Sequence, residues 1–190
     1  MTGQQSHQQH QETSGSRWLC SWRKLRVEVR FALLFIVSFA LLYWLLMGTH
    51  GTRTPWTMED LMTRGVVWMS GQILALLGVA VQVEGIILRT SGFGVRVLSG
   101  CNGMEAVVMY TAAVLAYPVS WRAKGIALLV GFPAIHIVNI ARILGLLMVG
   151  QYWPTLFYDA HVFVAQGMMI CMVAALWFWW IDRYGSSLTS

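Results

Sequence analysis

Residues 125 to 150 read GIALLVGFPAIHIVNIARILGLLMVG, an apolar run carrying one full charge, Arg142. A helix needs about 20 apolar residues to cross the hydrocarbon core of a bilayer, and this stretch exceeds that length. Its apolar residues are contiguous where a membrane barrel strand would alternate, which excludes the barrel. The rest of the chain agrees. Of 190 residues, 57% are hydrophobic and only 11% charged, too apolar for a soluble domain. The fold class that follows is an all-α integral membrane helical bundle.

Further spans lie on both sides of this run. After it come a polar connection, Gln151 to Ala160, and an apolar run from His161 to Ile181, closed by Asp182-Arg183 and a polar tail at 184–190. Before it, Met104 to Tyr117 is apolar and ends at Pro118, and the loop Val119-Ser120-Trp121-Arg122-Ala123-Lys124 is short and basic. A basic stretch with Arg17, Arg23, Lys24, Arg26 and Arg30 leads into a first apolar run, 31–47. No small-residue cleavage site follows at Gly48-Thr49-His50, so this run reads as an uncleaved anchor. Residues 1–16, rich in Gln, Ser and Thr, read as a disordered tail, and 17–183 as a single membrane domain. The expectation is about four transmembrane helices, at 31–47, 104–117, 125–150 and 161–181.

The interval between the first two spans is different. On a helix through 59–83, Asp60, Thr63, Arg64 and Gly71 fall on one stripe, with Leu61, Met62, Val66, Met69, Ile73 and Leu77 opposite. That pattern predicts an amphipathic helix lying in the outer interface; the competing reading is a span whose polar stripe packs inward. The β-prone runs flanking Thr90-Ser91-Gly92-Phe93 predict a short hairpin over about 84–98, outside the hydrocarbon.

Charge gives the orientation. The net charge of +5 would raise the question of nucleic acid in a soluble protein, but here the basic residues cluster beside spans, a topology signal. With the N-terminus and the 119–124 loop inside, the three later spans leave the C-terminus inside and both Cys101 and His161 outside. An odd number of crossings must then precede Cys101, so 31–47 crosses and 59–83 does not. The cysteines at 20, 101 and 171 show neither metal-ligand spacing nor a disulfide framework, and no cofactor or metal is expected.

Three residues converge under this topology. Cys101 sits in the turn Ser99-Gly100-Cys101-Asn102-Gly103 at the start of a helix, where backbone N–H groups favour a thiolate, and Asn102 with Glu105 has the form of a capping box. Arg142 lies inside a span, where an arginine costs about 2.5–3.5 kcal/mol on insertion scales. Counted from Lys124 it is about 27 Å along the helix, near the depth of the cysteine turn. It serves either a structural ion pair with Glu105 or Asp159, or an oxyanion, and Asn139 shares its face. His161 opens the last span from outside, where the positive helix end favours a neutral, proton-accepting imidazole. His136, mid-span beside Pro133, reads as a packing or hydrogen-bonding residue. Cys with His is the pairing of cysteine acyl transfer.

The cysteine turn, the segment Asn139-Ile140-Ala141-Arg142-Ile143 late in a span, and His161 opening the next resemble the exosortase/archaeosortase family of membrane transpeptidases. The approach through Leu77-Gly78-Val79 and Val83-Glu84-Gly85 is also similar, and the likeness covers about residues 57 to 182. The Cys-Asn-Gly wording is most similar to the exosortase H branch; Asn102 stands where the commoner wording has Ser. The resemblance implies a bacterial inner-membrane enzyme with cytoplasmic termini and a periplasmic active site. It would cleave C-terminal sorting signals of secreted proteins, an IPTL-type motif followed by a hydrophobic helix and a basic tail, through a thioester on Cys101. Arg142 would stabilise the oxyanion and His161 would shuttle the proton. The alternatives are a non-catalytic multi-pass scaffold or a small transporter component with a structural Arg142.

Overall fold

The computed structural model describes residues 26–46, 57–98 and 100–185. The expectations for the tail at 1–16, for the basic residues ahead of Arg26, for Cys20, for the segment around Gly48-Thr49-His50, for Ser99 and for the tail beyond Gly185 lie outside the described residues.

Among those residues, helix α1 (Arg26–Leu46) is followed by α2 (Met58–Leu76), and then by strands β1 (Gln82–Glu84), β2 (Ile87–Arg89) and β3 (Gly94–Arg96). Next come α3 (Met104–Ala116), α4 (Trp121–Tyr152) and a last helical segment, Pro154–Tyr184, whose regular C-terminal part is α5 (Gln166–Tyr184). Among the described residues, three helices are long and apolar enough to cross a membrane: Arg26–Leu46, Trp121–Tyr152 and Pro154–Tyr184. With the shorter apolar α3 they make a helical membrane bundle carrying one small sheet. At its 13 residues, α3 is about 20 Å long, shorter than the hydrocarbon core.

Local chemistry explains where elements begin and end. Helix α2 opens on a reciprocal capping box: Thr57 Oγ1 accepts from Asp60 N–H (3.2 Å), and the Asp60 carboxylate accepts from Thr57 N–H (3.4 Å). It stops at Leu76, short of the expected 83, because Gly78 turns left-handed (φ +78). Val79 N–H then donates to Leu74 C=O and Gly78 N–H to Ala75 C=O (3.0 and 3.1 Å), a Schellman closure. The expected hairpin is a three-stranded antiparallel meander in the order β1-β2-β3, starting at Gln82. Gly85, at φ +62, opens a two-residue turn that inserts the extra strand. Pro133 lies inside α4 without ending it.

Two apolar clusters hold the bundle. One joins α3, α4 and α5 through Tyr110, Val114, Ala127, Ile135, Val173 and Trp180. Within it Tyr110 donates to Ala127 C=O (3.1 Å) and Trp180 Nε1 to Ala123 C=O (3.0 Å). The Tyr110 ring fills the space that a Cβ at Gly131 would take. At the same end Lys124 donates to Leu115 C=O near the C-terminus of α3, its ammonium 4.9 Å from the centre of the Trp121 ring. The second cluster joins α2, the sheet and α4 through Val66, Val67, Leu88, Val97, Ile140 and Ile143.

The face that α2 buries differs from the simple amphipathic picture. Thr63, Ser70 and Gly71 are buried with Val66, Val67 and Leu74, while Leu61, Trp68, Met69 and Leu77 are exposed. Part of the polar stripe therefore packs inward on the sheet and the cysteine turn. The stripe supplies hydroxyls and a close approach that the protein core uses.

Candidate active site

Cys101 lies in the loop between β3 and α3, three residues ahead of the first helical residue, Met104. Gly100 and Gly103 both adopt left-handed backbone (φ +83 and +85), which folds the chain tightly around the sulfur, and Cys101 N–H donates to Leu98 C=O (2.9 Å). Asn102 is fully buried. Its Nδ2 donates to Thr63 Oγ1 on α2 (3.0 Å) and its Oδ1 accepts from Met104 N–H (3.0 Å), an Asx turn that ties the cysteine loop to α2.

The expected capping box of Asn102 and Glu105 does not form. The N-cap is Gly103, and no side chain caps the helix there. With Gly103 left-handed, the Asn102 carbonyl meets the N–H two residues on instead of three. Glu105 is exposed, its carboxylate lying over Gly100.

Arg142 is buried, only 5% exposed. Its two terminal nitrogens approach Gly100 C=O (3.5 Å) and Cys101 Sγ (3.7 Å), and its Nε–H has no partner. It makes no ion pair with Glu105 or Asp159. The guanidinium thus sits against the sulfur with donor capacity to spare.

His161 is carried on a π turn, Ala160–Ala165, between the short Phe157–Asp159 helical turn and α5. Wider turns of this kind re-aim side chains and recur at functional sites. Its Nε2 is 3.9 Å from Cys101 Sγ, at the outer edge of a sulfur hydrogen bond and of the length common in unliganded sites. The ring is stacked on Phe157 (6.0 Å between centroids, 9° between planes), and Nδ1 has no hydrogen-bond partner. An aromatic face therefore orients this imidazole where other cysteine enzymes use a carboxylate or amide.

Asn139 is fully buried one turn before Arg142, its amide against Gly103, and neither amide heteroatom is hydrogen-bonded. A Cβ at position 103 would lie 3.2 Å from the Asn139 side chain, so Gly103 is needed both for its backbone and for this contact. His136 stands apart from the site, its ring edge-on to Phe132 at 4.5 Å with both nitrogens unbonded, a packing residue only. Cys171 is exposed on α5.

Cys101, Arg142 and His161 line one cavity of about 220 Å³ together with β3, Leu146 and Phe157. Chemically, the arrangement offers a thiol, a nitrogen able to take its proton, and a fixed cation able to stabilise negative charge on sulfur or on an adjacent oxygen. Sequence reasoning missed Thr63, Phe157 and the Gly100 carbonyl as parts of this site. Thr63 stood in the polar stripe of α2, and Phe157 stands four residues before His161, the spacing that stacks side chains on a helix.

A family model described as transmembrane exosortase matches residues 17–180. No curated protein and no solved structure matches the chain. The matched region contains every residue that lines the cavity, and the chain belongs to the transmembrane exosortase family.

Proposed function

We propose that this exosortase is a cysteine transpeptidase or protease that cleaves C-terminal sorting signals of secreted proteins, working on the periplasmic side of a bacterial inner membrane. The observation that carries this reading is the convergence of His161 Nε2 (3.9 Å) and an Arg142 terminal nitrogen (3.7 Å) on Cys101 Sγ across sixty residues of sequence. His161 Nε2 takes the thiol proton as Sγ attacks the peptide carbonyl carbon. The resulting oxyanion is held by Arg142, whose unpaired Nε–H adds a further donor. As the C–N bond breaks, His161 returns the proton to the leaving amine, and a thioester remains on Cys101. An acceptor amine, or water, then attacks the thioester and restores the thiol. Asn102, Asn139 and Glu105 support the loop that presents the sulfur.

Topology supports the same reading. Lys124 and Arg142 are 18 positions apart on α4, about 27 Å, so the basic end of the bundle and the cavity lie toward opposite membrane faces. The Cys-Asn-Gly wording favours the exosortase H branch, and with it substrates bearing an IPTL-type motif, a hydrophobic helix and a basic tail. The termini are then cytoplasmic.

The test is reconstitution of the full chain with such a single-span substrate. Cys101→Ala abolishes processing, the unaltered chain given no acceptor amine forms a hydroxylamine-sensitive thioester between substrate and Cys101, and His161→Gln forms it far more slowly. Processing that survives Cys101→Ala overturns the enzyme reading in favour of a scaffold.

A further inference from the structure

We propose that the open edge of β3 is the docking strand for the substrate. An extended stretch of polypeptide beside the scissile bond adds to it as a fourth strand and is carried along it to Cys101. This rests on the cysteine-peptidase reading above and specifies how the peptide is held.

Among the described residues, strand β3 has β2 on one side and no strand on the other. The phase of the ladder follows from two hydrogen bonds: Thr90 N–H to Phe93 C=O (2.8 Å) and Val97 N–H to Ile86 C=O (2.9 Å). In an antiparallel pair such bonded positions recur every second residue, so Phe93, Val95 and Val97 direct their backbone groups to β2. Gly94 and Arg96 direct theirs away from it, and both are exposed. Leu98 continues the same side with its N–H, while its carbonyl accepts from Cys101 N–H. The free backbone row therefore ends at the nucleophile.

This row faces the catalytic cavity. The run 93–98 lines it without a gap, together with Cys101, Arg142 and His161. Side chains of a strand alternate between faces, so an unbroken run of lining residues is the signature of an edge. Ile143, Leu146 and Phe157 also line the cavity, which suits an apolar side chain on the bound strand. Near hydrocarbon an unpaired strand edge is costly, and a peptide backbone supplies the matching donors and acceptors. Strand addition is a recurrent way of holding extended peptides, with main-chain bonds for affinity and alternate side chains for selectivity. The segment just above a substrate's membrane helix must be extended to reach Sγ, so it is the occupant this edge fits.

The experiment uses the full chain in lipid nanodiscs and a synthetic substrate with an IPTL-type motif, N-methylated at one backbone nitrogen at a time. The expected result is a loss of about tenfold in kcat/KM at every second residue on one side of the scissile bond, with the intervening positions little affected. A second arm compares Arg96→Pro with Arg96→Ala. Proline at 96 deletes an N–H that β2 does not use, so the sheet survives. Processing by Arg96→Pro falls about tenfold below Arg96→Ala, while alkylation of Cys101 by iodoacetamide stays equal in the two. Uniform tolerance of N-methylation overturns strand addition, as does equal turnover by the two Arg96 variants. Should Arg96→Pro also lose thiol reactivity, the scan with unmodified enzyme decides alone. Cleavage by Cys101→Ala would instead overturn the peptidase reading and leave the scan pattern as a separate result.

Discussion

At the scale of single residues, the site depends on how few partners its cation has. Arg142 makes two long contacts, to Gly100 C=O and Cys101 Sγ, and keeps Nε–H unused. A lysine cannot span both acceptors from one point charge. Arg142→Lys is therefore expected to lower kcat by about 10²–10³-fold with a smaller change in KM, the pattern of a lost oxyanion donor. Steady-state kinetics on the reconstituted substrate read it, and a change confined to KM would reassign Arg142 to ground-state binding. The buried Asn102–Thr63 bond gives a stability prediction. Asn102→Ala and Thr63→Ala each strand a polar group and cost about 1–3 kcal/mol. The double variant costs less than the sum, since the two groups share one interaction. Unfolding in mixed detergent and denaturant measures both. Cys101, Arg142 and His161 were legible in the sequence because residue type, side of membrane and depth could be counted. The Asn102–Thr63 bond was not, because a hydrogen bond between residues 39 positions apart leaves no periodic trace.

At the scale of elements, the π turn at Ala160–Ala165 and the contact of α4 with the sheet place the two halves of the cavity. Deleting one residue from Val162–Val164 would restore regular α-helix and rotate His161 by about 100° relative to α5. Activity is then lost with helix content retained by circular dichroism. Retained activity would show that the π turn does not set the imidazole. Gly150 lets the Phe93 ring lie directly on α4, where a Cβ would fall within the ring, whereas Gly145 has nothing near its missing Cβ. Gly150→Ala is expected to lower Tm by several degrees and to reduce processing by displacing β3 from the cavity, while Gly145→Ala leaves both unchanged. The lengths of α4 and of the last segment followed from the apolar runs. The end of α2 at Leu76 and the third strand were harder to read, since each turns on one left-handed glycine inside apolar sequence, Gly78 and Gly85.

At the scale of the whole molecule, the cysteine loop and the Lys124 end stand at opposite ends of α3 and α4. Because α3 spans only about 20 Å, the proposed orientation sets the nucleophile at or just beneath the outer boundary of the hydrocarbon. In a Cys20→Ser, Cys171→Ser background, an impermeant maleimide is expected to label Cys101 in spheroplasts. A cysteine placed at Trp121, exposed beside the basic loop, is labelled only after the inner membrane is opened. Labelling in the reverse order would invert the topology and remove the periplasmic site.

By itself the sequence determined the membrane class, the long spans, and the meeting of Cys101, Arg142 and His161 at one end of the bundle. These are one-dimensional properties, set by counting apolar residues and basic flanks along a helix of constant rise. Only the tertiary structure decided which way the polar stripe of α2 faces, that Asn102 bonds Thr63 in place of capping with Glu105, that Phe157 stacks on His161, and that β3 lines one cavity with the sulfur. Each of these depends on packing between segments far apart in the chain, where partner and distance come from the fold and no local pattern records them.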